Sequence, residues 1–140
     1  MNCCNASLLF LGRLCLSAIF ILAGINKFMD PSGTAAYMAA KGMSMIPFFL
    51  YSAAVIEIAG GLSLLIGFKA RWGALLLILF LIPTTLIFSS FWNEPAETYN
   101  LQMIEFLKNL GIIGGLLYVL ATGAGKWSFD HCCETSCCKK

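Results

Sequence analysis

Charge is scarce in this chain of 140 residues, which holds nine lysines and arginines, seven aspartates and glutamates and a single histidine. Charged residues make up 11% of it, against roughly 25% in a soluble domain. So little charge cannot cover a water-facing surface, and a soluble globular protein is excluded. The net charge of +2 is spread over loop ends, which gives no basic patch for nucleic acid. A single histidine leaves no haem-ligating pair, and neither a flavin fingerprint nor iron–sulfur cysteine spacing occurs. Lysine and arginine are also missing from Met1 to Leu11, and no small-residue cleavage site follows, so the first apolar segment is read as a retained helix rather than a secretion signal.

What the chain has in abundance is apolar surface, with 59% hydrophobic residues and a mean hydropathy of +0.84. Four runs reach the roughly 20 residues that a transmembrane helix needs: Leu8 to Phe28, Ile46 to Phe68, Trp72 to Phe91 and Met103 to Thr122. The fold class expected is all-α, an integral membrane four-helix antiparallel bundle over residues 1–130, followed by a cysteine-rich tail at 131–140. Four spans place both termini on one side. Lys69, Arg71, Lys126, Lys139 and Lys140 fall on that side, against Lys27, Lys41 and Lys108 on the other. The positive-inside bias then sets the termini in the cytoplasm of a bacterial cell, with the chain in its inner membrane.

The connections differ in character. Met29 to Met45 holds Asp30-Pro31-Ser32-Gly33 and a segment, Thr34 to Lys41, fit for an interfacial helix. Gly67 to Trp72 is a tight basic turn, which makes its flanking helices antiparallel neighbours. Asn93 to Gln102 is acidic and is expected to fold over the outer mouth of the bundle. Pro83 frees the carbonyl of Leu79 inside the third span, where a kink is expected.

Two charges interrupt the apolar runs. A charge at membrane depth costs a few kcal/mol on insertion scales and is usually paired. Glu57 lies near the middle of the second span, and Arg13 is placed roughly 10 Å inside the first at 1.5 Å per residue. Their vertical offset of about 5 Å on the same rise makes a pair between them the expectation. Helical spacing gives three polar or small-residue stripes: Arg13, Ser17, Phe20, Gly24 and Lys27; Ala53, Glu57 and Gly61; and Lys108, Gly111, Gly115, Tyr118 and Thr122. These are expected to face one another, since small residues let helices approach closely in lipid. Glu105 and Lys108 are one turn apart and can pair locally.

Six of the seven cysteines lie outside the spans. Cys132, Cys133, Cys137 and Cys138 follow His131 in the tail, and Cys3 and Cys4 stand on the same side. Thiolates this dense are candidate ligands for a soft metal such as Zn²⁺ or Cu(I), or partners in disulfide exchange; a reduced tail without metal is the alternative.

The ordered motifs resemble the DoxX family of small four-helix bacterial membrane proteins. They are Gly12-Arg13, Gly24-Ile25-Asn26-Lys27-Phe28, Glu57-Ile58-Ala59-Gly60-Gly61, Leu65-Ile66-Gly67-Phe68, Phe106-Leu107-Lys108-Asn109-Leu110, Gly114-Gly115-Leu116-Leu117 and Gly123 to Asp130. Family members commonly carry a histidine after the phenylalanine that precedes a Phe-Trp pair; here Phe88 is followed by Ser89-Ser90-Phe91-Trp92. A related protein is the small membrane subunit of a thiosulfate:quinone oxidoreductase. The resemblance implies a redox-associated subunit that binds a quinone or similar apolar ligand near Arg13, Glu57, Lys108 and Asn109. Its partners would be membrane lipid, a redox partner protein and further copies of the chain, with electrons supplied by that partner or by thiols. The competing reading is a non-catalytic membrane scaffold or small transporter in which Arg13 and Glu57 form a structural pair.

Overall fold

The computed structural model describes residues 3–89, 92, 95–125 and 127–129. Five helices follow one another: α1 Cys3–Met29, α2 Pro31–Ala40, α3 Ile46–Ile66, α4 Ala70–Phe88 and α5 Ala96–Thr122. No strand occurs among the described residues. Four of the helices, all but α2, are long and apolar enough to cross a membrane. The protein is an all-α, four-span integral membrane bundle.

Local chemistry sets the ends of these helices. Pro31 opens α2, and the Asp30 carboxylate caps it by accepting from the Gly33 N–H at 2.9 Å and the Ser32 hydroxyl at 2.8 Å. Those two bonds, the backbone one foremost, hold the Asp30 carboxyl below the usual carboxylate range. Tyr37 fixes α2 over the end of α4, stacking on Phe88 and donating to its carbonyl at 3.1 Å. Between α3 and α4 the chain reverses in three residues. Gly67 adopts φ +73 and its N–H returns to the Ser63 carbonyl, while the Ser63 hydroxyl donates to the Phe68 carbonyl at 2.8 Å. So short a reversal forces α3 and α4 to pack antiparallel. Pro83 sits inside α4 without ending it, and the Thr84 hydroxyl donates to the Phe80 carbonyl at 2.7 Å.

The acidic connection expected over Asn93 to Gln102 is mostly helix. Pro95 stands at the N-cap of α5, and Glu97 in its first turn complements the positive end of the helix dipole. Residues 96–102 of that connection belong to α5, and Asn93 and Glu94 lie outside the described residues.

Packing is most extensive between α1 and α3, then between α4 and α5 and between α3 and α4, whereas α1 and α5 barely meet. Glycine permits the closest approach. A methyl on Gly24 would stand 2.6 Å from Ile58 Cγ1 and 3.0 Å from the Ala54 carbonyl, and one on Gly61 would stand 2.8 Å from Ile21 Cγ1. These contacts set the register: residue 24 lies beside 54–58, and residue 61 beside 17–21. The stripes expected on α1 and α3 do face each other, with Arg13, Ser17, Phe20, Gly24, Ala53, Glu57 and Gly61 all buried. The stripe expected on α5 does so only in part. Gly115 stands against Leu16 of α1 and Tyr118 borders the seam between α1 and α5, whereas Lys108, Gly111 and Thr122 are exposed. Leu116 and Val119 supply the buried face, because their larger side chains fill the core beside Leu77, Ile78 and Leu81.

Candidate functional site

Glu57 is buried on α3, and its partner is Lys27 at the end of α1. The Lys27 ammonium donates to both carboxylate oxygens, at 2.9 Å to Oε1 and 2.7 Å to Oε2, with the two side chains 22% and 8% exposed. By register, Lys27 lies about one turn nearer the outer surface than Glu57. Helical side chains lean toward the N-terminus of their own helix, and α1 and α3 run in opposite directions. Lys27 therefore leans inward and Glu57 outward, and the offset closes.

The pair expected between Arg13 and Glu57 is thus corrected. The Arg13 Nη1 group stands against Gly67, so Arg13 is level with the end of α3, ten residues from Glu57 or roughly 15 Å along the helix. It donates from Nη1 to the Ala124 carbonyl and from Nη2 to the Trp127 carbonyl at 2.9 Å. These contacts tie the chain after α5 back to α1, and Trp127 packs its ring on Phe10 at 6.0 Å. Depth explains the correction. Helices α3 and α4 have 21 and 19 residues, about 32 and 29 Å long, which matches a hydrocarbon core of ~30 Å. The Gly67–Lys69 reversal then marks one membrane surface. Arg13 belongs to that surface, and the first turns of α1 extend past it.

The remaining candidate residues lie apart from both groups. Lys108 pairs with Glu105 on the outer face of α5, and both are about half exposed. Asn109 is half-buried in the next position. Cys15 is an exposed free thiol. Cys132, Cys133, Cys137 and Cys138 lie outside the described residues, and among the described residues no group of three or more His, Cys, Asp or Glu stands together as a metal site.

One cavity adjoins Arg13. The loose seam between α1 and α5 leaves a crevice of about 270 Å³, walled by Leu8, Leu9, Gly12, Leu16 and Val119, with Arg13 and Tyr118 as its polar lining. Sequence reasoning missed this crevice, since the outward turn of α5 decides it. It also missed Lys27, although the stripe through Arg13, Gly24 and Lys27 already placed that lysine on the face toward α3.

The family model described as DoxX matches residues 8–90, from α1 to the end of α4. The chain belongs to the DoxX family. Inner membrane protein YphA of Escherichia coli (strain K12) is 33% identical to this DoxX chain over 124 residues, 89% of each. Inner membrane protein YqjF of the same organism is 35% identical over 121 residues, 85% of this chain and 86% of that protein. The Surfeit locus protein 4 homolog of Schizosaccharomyces pombe is 37% identical over 79 residues, 55% of this chain but 26% of its own. No solved structure matches. The DoxX match takes in Arg13, Lys27 and Glu57 and leaves out the α5 wall of the crevice.

Replacing Arg13 with glutamine removes the charge-assisted bonds that hold residues 124–129. Such bonds contribute about 1.5–3 kcal/mol each, so amide hydrogen exchange over that segment is expected to rise by about tenfold or more. Exchange unchanged from the wild type would show that Arg13 does not anchor it.

Proposed function

We propose that this protein is the membrane-embedded, ligand-holding subunit of a quinone-linked redox system, and that a quinone or similar apolar ligand enters the crevice between α1 and α5 from the lipid. The observation that supports this reading is the crevice. Its volume of about 270 Å³ falls just under the roughly 300–1,000 Å³ of small-molecule sites. That space suits a quinone ring, with the isoprenoid tail left in the bilayer. Leucine and valine walls suit the ring faces, and the Tyr118 hydroxyl and the Arg13 guanidinium are donors suited to a ring carbonyl. Reduction to the quinol takes two electrons and two protons, and the electrons come from a partner protein.

A second reading is favoured by a different observation. Both oxygens of Glu57 are engaged by Lys27, and Arg13 donates to main-chain carbonyls, which is what a non-catalytic scaffold or small transporter needs to fix helix register. The two readings part over the crevice. Gly12 lines it, and a Cβ there meets nothing within 4 Å, so Gly12→Phe is the substitution that places a ring in the crevice from an unobstructed start. In nanodiscs containing a short-tailed ubiquinone, native mass spectrometry is expected to find one retained quinone on the wild type and about tenfold less on Gly12→Phe at equal thermal stability. No quinone on the wild type, or equal retention by both, would leave the scaffold reading.

We place the chain in a bacterial inner membrane with its termini in the cytoplasm. Lys69 and Arg71 flank the reversal on the terminal side, whereas Lys27 and Lys108 on the other side are neutralised by carboxylates. Green fluorescent protein fused after Lys140 is expected to fluoresce and alkaline phosphatase at the same point to be inactive; the opposite pattern would invert the orientation.

A further inference from the structure

Arg71 stands in the first turn of α4, exposed, and forms no hydrogen bond or ion pair among the described residues. Its position is nonetheless defined. The guanidinium turns its Nε–Nη2 edge toward the end of α5, with Nε 3.2 Å, Nη2 3.4 Å and Cζ 3.7 Å from where a Cβ on Gly123 would be. Gly123 has φ +77 and no side chain, and the guanidinium packs into the space a side chain there would take. The same surface carries Lys69 on the reversal and Arg13 beside Gly67. Among the described residues the carboxylates stand elsewhere: Glu57 at mid-depth, and Asp30, Glu97 and Glu105 toward the opposite surface. Among the described residues the terminal-side surface therefore carries cations and no carboxylate, and Arg71 has no anion of its own there.

Arginine at headgroup depth is suited to one anion in particular. Its planar fork presents two parallel N–H groups, which match the two unesterified oxygens of a phosphodiester. Beside Arg71, Trp72 is 71% exposed, and Leu76 and Leu79 continue the same exposed stripe down α4 at helical spacing. Indole at the interface with leucines beneath it forms the surface along which an acyl chain lies.

We propose that Arg71 binds the phosphate of an anionic phospholipid from the terminal-side leaflet, with an acyl chain along Trp72, Leu76 and Leu79. This site stands apart from the reading of the crevice and does not depend on it. The test uses the full chain in nanodiscs of equal phosphatidylglycerol and phosphatidylcholine, with retained lipid identified by native mass spectrometry. The wild type is expected to retain phosphatidylglycerol over phosphatidylcholine by about fivefold, the ratio one interfacial arginine supports. Arg71→Gln is expected to lose most of that preference, and Arg71→Lys to keep part of it, since the charge stays and the fork goes. Lys108→Gln, at the opposite end, is expected to leave it unchanged. A wild-type ratio in Arg71→Gln, or no preference in the wild type, overturns the proposal. Should Arg71→Gln fail to insert, Arg71→Lys decides: reduced preference supports the site, and full preference overturns it.

Discussion

A lysine and a glutamate buried between two helices set the constraint on which the rest of the bundle depends. Lipid gives helices no hydrophobic reason to associate, so contact between them rests on packing and on polar pairs. Here both act at one interface. Gly24 and Gly61 bring α1 and α3 close, and Lys27 engages Glu57 within that contact. Neither charge can slide to the opposite face without losing its partner in a medium that solvates it poorly. The register of α1 on α3 is thereby fixed, and α4 follows from the three-residue reversal after Gly67. The last helix packs mainly on α4. Its weak contact with α1 leaves the crevice beside Arg13.

The cationic side chains divide by depth. Lys27 works inside the bilayer, where one carboxylate neutralises it. Arg13 and Arg71 stand at the same end of the bundle, where the first holds main-chain carbonyls and the second lies against Gly123 after α5. Arginine suits the surface because its several fixed donors bridge acceptors that do not move. Lysine suits the interior because a compact ammonium on a flexible stem can meet a single carboxylate from one turn away.

Much of this was legible in the residues. Four apolar runs and a charge content of 11% are enough to give an all-α membrane bundle, because no other arrangement satisfies backbone groups in lipid. The ordered motifs from Gly12-Arg13 onward pointed to the DoxX family, which the similarity to the two Escherichia coli inner membrane proteins bears out. Glu57 could be recognised as needing a partner. Its partner was not legible, because the ends of the apolar runs do not mark the membrane surfaces as the shortest helices do, and because helical side chains lean toward the N-terminus of their own helix. Arg13 lies nearer the surface than the end of its apolar run suggests, and Lys27, on the same stripe of α1, is the side chain that reaches Glu57. The outward turn of α5 was hidden for another reason: its glycines mimic an interface, while the larger Leu116 and Val119 form the actual one. Helical spacing gives the faces of α5 and leaves open which of them turns inward.

The account stands on the coupling between Lys27 and Glu57, and a double-mutant cycle of Lys27→Leu and Glu57→Leu measures it directly through reversible unfolding in micelles. Each single variant leaves one charge buried without its partner and is expected to lose about 3–5 kcal/mol. The double variant removes both charges and is expected to recover most of that loss, for a coupling energy of about 2 kcal/mol or more. Additive losses with no coupling, or a coupling of that size between Arg13 and Glu57 instead, would contradict it.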